Sequence, residues 1–250
     1  MSQQVFETVY RGRQGWLRHA AYMRMSKVHL ALRTLRAVGR LGGIASVFDY
    51  GFGSGTLLRY LPKKWRIYGV EQDQVVVGEV AEMLREVGFL SVDLQAICIS
   101  SWTESPLLKR KYDVVICSHV LEHLEDPVGF LRVVSACLED SGVFVGLVPI
   151  NERAQNPHHV QVVTRSLVES WARATSLSLV HYEENDPYLY WLQPLYVHDS
   201  GWRHRMAQVA SLALGVLSKG IGESLWLGPI ATAFSLVSRP TQAAFVLSRT

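Results

Sequence analysis

The chain of 250 residues has little of several things that would assign it to a class at once. Its three cysteines, Cys98, Cys117 and Cys137, stand in apolar segments without a CxxC pair. That excludes a disulfide framework or a thiolate zinc site and fits a reducing compartment. The first residues lack the short apolar core of a secretory signal, and no stretch reaches the roughly 20 apolar residues of a bilayer-spanning helix. His119 and His123 are four apart with Leu121-Glu122 between them, but the histidines and acids form no ligand-spaced set with a supporting third ligand, so no metal site is expected. The expectation is a cytoplasmic protein, with peripheral membrane contact left open.

The net charge is only +3, yet it is unevenly placed: the first 40 residues hold eight Lys/Arg against Glu7. A basic arm on a mildly acidic body suits an anionic partner such as a lipid surface, a phosphorylated substrate or nucleic acid. Nucleic acid is disfavoured, because Tyr188, Tyr190 and Trp191 stand among Glu183, Glu184 and Asp186 rather than along a basic track.

What is present is enough apolar content, 48%, to bury one full core. The organising stretch is Val47-Phe48-Asp49-Tyr50-Gly51-Phe52-Gly53-Ser54-Gly55-Thr56, an apolar run that breaks into alternate glycines and resumes as Leu57-Leu58. A strand that ends in such a turn and opens a helix lets backbone N–H groups approach a ligand unhindered by Cβ atoms. The dinucleotide fingerprint would require a third glycine at position 56, which is Thr56. This opposes a nicotinamide-dependent oxidoreductase. A second short apolar run ends on Glu71, about 20 residues after the glycines, where a carboxylate can accept hydrogen bonds from both hydroxyls of a ribose.

The order Asp49, Gly51, Gly53, Gly55, followed by Gly69-Val70-Glu71-Gln72, resembles the class I S-adenosylmethionine-dependent methyltransferases. The segments Tyr112-Asp113-Val114-Val115, Leu121-Glu122-His123, the Asp126-Pro127 helix start and the run from Ser141-Gly142 to Pro149 extend that resemblance over residues 44–184. They are most similar to the branch that acts on small molecules, quinones and sugar- or lipid-linked intermediates. The resemblance implies an α/β fold: a doubly wound, seven-stranded Rossmann-like sheet whose last strand runs antiparallel. It implies S-adenosylmethionine as donor, held by Asp49, Gly51, Phe52, Gly53, Gly55, Glu71, Gln72, Cys117 and Ser118. The family commonly has an Asp after strand 3 for the adenine amino group. Here Ser100-Ser101-Trp102 stands there, and a serine hydroxyl or a backbone carbonyl would have to substitute.

Periodicity places helices at about 16–41 (ended by Gly42-Gly43), 74–88, 127–139 and 164–176, the last with Ser166 and Glu169 as a capping box. Strands are expected at 44–49, 64–73, 92–101, 112–118, 143–148, 177–182 and 242–248. Residues 1–43 form a helical cap and 44–250 the main domain, interrupted at 186–238 by an insertion far longer than a connection needs. The insertion carries an aromatic cluster and two apolar helical stretches, 206–217 and 225–237, which read as a lid, a homodimer contact or interfacial helices on a membrane.

Methyl transfer to a hydroxyl benefits from a base, and the candidates are His119, His123, His158 and His159. His159 is preferred, with His119 second, because the loop beyond strand 5 should face the acceptor. The sequence thus implies methylation of a small-molecule or lipid-linked acceptor, on oxygen before nitrogen or carbon. The alternative is a non-catalytic protein of the same fold that acts through its apolar insertion.

Overall fold

The computed structural model describes residues 19–249 apart from 44, 99–102, 153–155, 157 and 197–201, with the side chains of 194–196, 203, 204 and 223 also outside that description. Seven strands form one sheet: β1 (Ser46–Tyr50), β2 (Arg66–Glu71), β3 (Val92–Ala96), β4 (Tyr112–Ser118), β5 (Leu138–Pro149), β6 (Leu177–Asn185) and β7 (Gln242–Arg249). Their order is β3-β2-β1-β4-β5-β7-β6. The first five strands are parallel, and β7 lies antiparallel between β5 and β6, leaving β6 as an edge. This is the doubly wound, seven-stranded Rossmann-like sheet the sequence implies.

Strand pleating sorts the side chains onto two faces. Val47, Ile67, Val114 and Val145 face α1 (Tyr22–Ala37), α2 (Thr56–Arg59) and α3 (Gln74–Glu86). Phe48, Val70, Val115 and Phe144 face α4 (Pro127–Cys137) and α5 (Arg165–Ala174). Burial on both faces is why β1 and β4 read as continuous apolar runs rather than as alternating ones.

Helix boundaries follow local chemistry. Asp73 caps α3 by accepting from the N–H groups of Val75 and Val76, and Asp126 caps α4 by accepting from Gly129, with Pro127 in the first turn. At α5 the expected capping box does not form. Thr164 is the cap, accepting from the Leu167 N–H, while Glu169 pairs with Arg165 at 3.0 Å. The stop of α1 also falls earlier than Gly42-Gly43. Gly39 takes φ +70°, its N–H reaches the Arg36 carbonyl and that of Arg40 reaches Leu35. That is a Schellman ending, which glycine adopts without Cβ strain. Strand ends shift too: β3 stops at Ala96, β6 runs on to Asn185, and β5 begins at Leu138. Ser141-Gly142 therefore lies within β5, at an irregularity in its pairing with β4 between Tyr112 and Val114.

The insertion begins with α6 (Leu189–Tyr196) and α7 (Trp202–Ile221). The second apolar stretch is not one helix. It runs through α8 (Glu223–Leu225), a π-helical turn (Trp226–Ile230) kinked at Gly228 beside Pro229, and α9 (Ala231–Phe234). Proline removes a backbone donor and clashes with the preceding turn, which accounts for the break. Helix α7 packs along α1 through small residues: Ser211 Oγ accepts from the Met23 N–H at 3.2 Å, His29 Nε2 lies 3.1 Å from Ser218 Oγ, and a Cβ at Gly215 would collide with the Ala20 carbonyl. Tyr22, Tyr188, Leu189, Trp226 and Leu227 close a third apolar cluster under this cover.

Candidate active site

The three glycines after β1 all occupy the left-handed region, with φ +74° at Gly51, +50° at Gly53 and +65° at Gly55. A side chain at Gly51 would also press on Val120 at 2.8 Å. The turn is therefore built for backbone alone. Its N–H groups are tied to the next strand: Gly51 donates to the Val70 carbonyl at 2.9 Å and Gly53 to Glu71 Oε2 at 2.8 Å. Glu71 is buried at the end of β2, and its Oε1 accepts from the Gln72 N–H at 2.7 Å. Burial pushes its carboxyl above the usual range, and the two backbone bonds oppose that shift. Gln72 itself is exposed beside it.

Asp49, near the end of β1, is 2% exposed, and its Oδ1 has no hydrogen-bond partner among the described residues. Burial, reinforced by Glu71 and opposed by the ammonium of Lys27 on α1, raises its pKa to about 8. At the end of β4, Ser118 Oγ is a second buried atom without a partner among the described residues. Both oxygens of Glu122, in the 3-10 turn Leu121–His123, are likewise buried without a hydrogen-bond partner among the described residues. Over this end of the sheet lies the segment before α1, where His19 Nδ1 sits 2.8 Å from Thr56 Oγ1 beside the glycine turn.

His119 follows β4 with φ +56°, and its N–H is held by the Leu147 carbonyl at 2.8 Å. Its ring tautomer follows from a buried chain of hydrogen bonds. Trp226 Nε1 donates to Tyr22 Oη, which donates to Asp186 Oδ1, each at 2.9 Å. Gln242 Nε2 donates to Asp186 Oδ2 and to Ser26 Oγ, both at 2.7 Å. That turns the Gln242 Oε1 toward His119 Nε2 at 3.2 Å. An amide oxygen only accepts, so Nε2 carries the proton and Nδ1 a lone pair. Nδ1 lies 3.7 Å from Glu122 Oε1. Burial, with help from Lys27, holds His119 well below 6.5 and so neutral. The loop beyond β5 brings His159 to the same place, with Nε2 4.0 Å from Glu122 Oε1 and Nδ1 2.7 Å from Glu152 Oε2.

The structure gathers Asp49, Gly51, Gly53, Gly55, Glu71, Gln72 and Ser118 at the carboxyl ends of β1, β2 and β4. Two of the expected donor contacts turn elsewhere. Phe52 packs its ring into the core, where it blocks a Cβ at Gly69 at 2.9 Å, leaving only its backbone for a ligand. Cys117 points into the opposite apolar face, fully buried. The parity of the pleat decides this, because Asp49 pairs with Ile116 and Cys117 falls on the α4 side. Ser100, Ser101 and Trp102 lie outside the described residues. Lys27, Glu122, Asp186 and Gln242 are unassigned by sequence reading, since their partners are distant in the chain. The only local hint was Leu121-Glu122-His123 as a segment.

A family model described as a methyltransferase domain matches residues 17–193. Ubiquinone biosynthesis O-methyltransferase of Histophilus somni (strain 2336) is 30% identical over 99 residues, 39% of this chain and 42% of that protein. The chain thus spans less than half the length of that curated relative. Among solved structures, coclaurine N-methyltransferase bound to N-methylheliamine and SAH has a TM-score of 0.61 at 11% identity, covering 100% of this chain and 79% of that one. Magnesium protoporphyrin IX methyltransferase from Synechocystis PCC 6803 with bound SAH has a TM-score of 0.59 at 13% identity, covering 99% and 94%. At these identities the two structures establish a shared fold.

Proposed function

The chain belongs to the methyltransferase domain family, and on that premise we propose that it transfers a methyl group from S-adenosylmethionine to a hydroxyl oxygen of a small, lipophilic acceptor. The observation that carries this reading is the pair of buried acceptors without a hydrogen-bond partner among the described residues at the strand ends beside the glycine turn, Asp49 Oδ1 and Ser118 Oγ. Buried polar atoms are ordinarily satisfied, and a ligand rich in donors and positive charge would satisfy these.

The residues fit such a donor. Asp49 would take its ammonium, the remaining lone pairs of Glu71 its ribose hydroxyls, and the backbone of Gly51 and Gly53 its close approach, with Gln72 beside the base. Ser100, Ser101 and Trp102 are proposed to line the adenine. Bound there, S-adenosylmethionine supplies a methyl on a cationic sulfur, which leaves as a neutral thioether when the acceptor oxygen takes the methyl. The protein's part is alignment, exclusion of water and removal of one proton. His119 is suited to accept that proton at Nδ1, the ring nitrogen left open by Gln242. His159, across Glu122, is the second candidate.

Oxygen as acceptor is supported by the name of the curated relative, an O-methyltransferase of ubiquinone biosynthesis. A lipophilic acceptor is supported by Met206, Val209, Val216, Leu217, Leu225 and Leu236, exposed along the insertion. Among the described residues no helix is long and apolar enough to cross a membrane, so contact with a bilayer would be peripheral. Calorimetry with S-adenosylmethionine and mass spectrometry after incubation with prenylated catechols, phenols and matched amines test the reading. Saturable donor binding and methylation of the hydroxyl compounds are expected. Donor binding with no product on any acceptor favours the non-catalytic alternative, and no donor binding removes the reading.

A further inference from the structure

Glu122, His123 and His159 bring one carboxylate oxygen and one nitrogen from each imidazole within 4.8 Å of one another, and we propose that they bind a first-row divalent cation, Zn2+ foremost. Glu122 and His123 are neighbours in the sequence; the fold brings the third ligand, His159, from 36 residues beyond His123.

Glu122 is 1% exposed, and neither of its oxygens has a hydrogen-bond partner among the described residues. The Lys27 ammonium on α1 favours its ionised form against burial, but without donors on its oxygens a carboxylate taken out of water stays costly, and a cation bound directly to them would offset that cost. The histidines beside it are held as metal-binding histidines usually are. His123 Nδ1 lies 2.9 Å from the His158 carbonyl oxygen, and His159 Nδ1 lies 2.7 Å from Glu152 Oε2. Those oxygens only accept, so each Nδ1 carries the proton and each Nε2 keeps its lone pair for a metal. The His159 Nε2 is 4.0 Å from Glu122 Oε1, and its present neighbour is the Asn156 side-chain amide at 3.2 Å, a weak donor that a cation would displace.

The two contributing segments are braced against each other. The Val160 N–H donates to the Glu122 carbonyl at 2.9 Å, and Gln161 Nε2 donates to the carbonyls of Leu121 and Leu124 at 2.9 and 3.0 Å. Ligand atoms about 2.1 Å from a tetrahedral cation stand roughly 3.4 Å apart, so small side-chain rotations close the set. Two imidazoles with one carboxylate suit Zn2+, and such sites keep a position open for water or substrate. The exposed His123 marks the open side.

Cation binding does not depend on the methyl-transfer reading, but its use there rests on it. A cation beside Glu122 would meet the acceptor hydroxyl and make it more acidic. His159 would then serve as a ligand and His119 Nδ1 as the proton acceptor.

The test is calorimetric titration of untagged, chelator-treated full-length protein with Zn2+, repeated with Co2+ while its visible absorption is recorded. One equivalent should bind, with cobalt bands typical of low coordination. Glu122→Gln, His123→Ala and His159→Ala should each weaken binding at least about tenfold, whereas His158→Ala should leave it unchanged. Circular dichroism of the metal-free variants reports folding; should Glu122→Gln not fold, His123→Ala at its exposed position decides. Failure to saturate near one equivalent, or undiminished binding in folded His123→Ala, overturns the site. Titration of the same preparations with S-adenosylmethionine keeps the readings apart: donor binding and turnover without Zn2+ binding removes only the cation site, and Zn2+ binding without donor binding removes only the methyl-transfer reading.

Discussion

The backbone N–H of Gly53 donates to Glu71 Oε2 at 2.8 Å, tying the turn after β1 to the end of β2. One carboxylate thus braces the loop and remains available to a ligand. Glu71→Ala would leave the N–H groups of Gly53 and Gln72 without their acceptor. A lost buried partner costs about 1–3 kcal/mol, so chemical denaturation should show a fall of that order, and calorimetry a weaker donor affinity. Unchanged values in both would make the acid peripheral.

Asp49→Asn should separate binding from stability. Loss of the charge facing the donor's ammonium is expected to raise the dissociation constant about tenfold or more, about 1.4 kcal/mol. Stability should move the other way. The folded pKa of about 8 lies above that of an unfolded Asp, so ionisation burdens the native state increasingly as pH rises from the ordinary carboxylate range toward 8. The variant should be the more stable protein at pH 8, with the gap closing toward pH 4. A gap that widens on acidification would refute the assignment.

His29 makes an opposite pH dependence. Burial, with Lys219 adding to it, lowers its pKa to about 4. An unfolded histidine titrates near 6.5, so this group's contribution is intact above 6.5 and is lost as pH falls toward 4. Its full size is about 3 kcal/mol. His29→Gln, which keeps a polar atom for Ser218, should shrink the drop in melting temperature between pH 7 and pH 4. An identical drop would remove His29 as its source.

Gly215→Ala tests how the insertion is seated. Nothing but hydrogen fits there against the Ala20 carbonyl, and overpacking of this kind costs about 1–3 kcal/mol. Hydrogen exchange should rise in α7 and the start of α1 while β1 and β4 stay protected. Uniform protection would mean that α7 does not pack as described.

His119→Asn keeps a residue tolerant of the left-handed backbone that His119 occupies. Turnover should fall by about a hundredfold or more with donor affinity unaltered. Loss of donor affinity instead would place His119 in the donor site.

The parts legible in the sequence are those decided within a few residues. Alternating glycines anticipate a turn that needs positive φ, Asp126-Pro127 a helix start, and the apolar runs of β1 and β4 strands buried on both faces. Misreadings arose where equivalent local choices compete: Thr164 rather than Ser166 caps α5, and Gly39 rather than Gly42 ends α1. Parity is not legible either, since one residue along β4 separates Cys117 in the apolar core from Ser118, whose buried Oγ has no hydrogen-bond partner among the described residues.

Composition and short-range pattern by themselves determined where the strands fall, the glycine turn and the carboxylate at the end of the next strand, because strand period, chain reversal and capping are settled by neighbours. Only the tertiary structure decided that Lys27 meets Asp49 and Glu122 and that His159 meets Glu122, that Asp186 reaches through Gln242 to set the His119 tautomer, and that α7 lies on α1. Those meetings join positions tens to hundreds of residues apart. They depend on strand order and on burying a common apolar surface, which no local window contains.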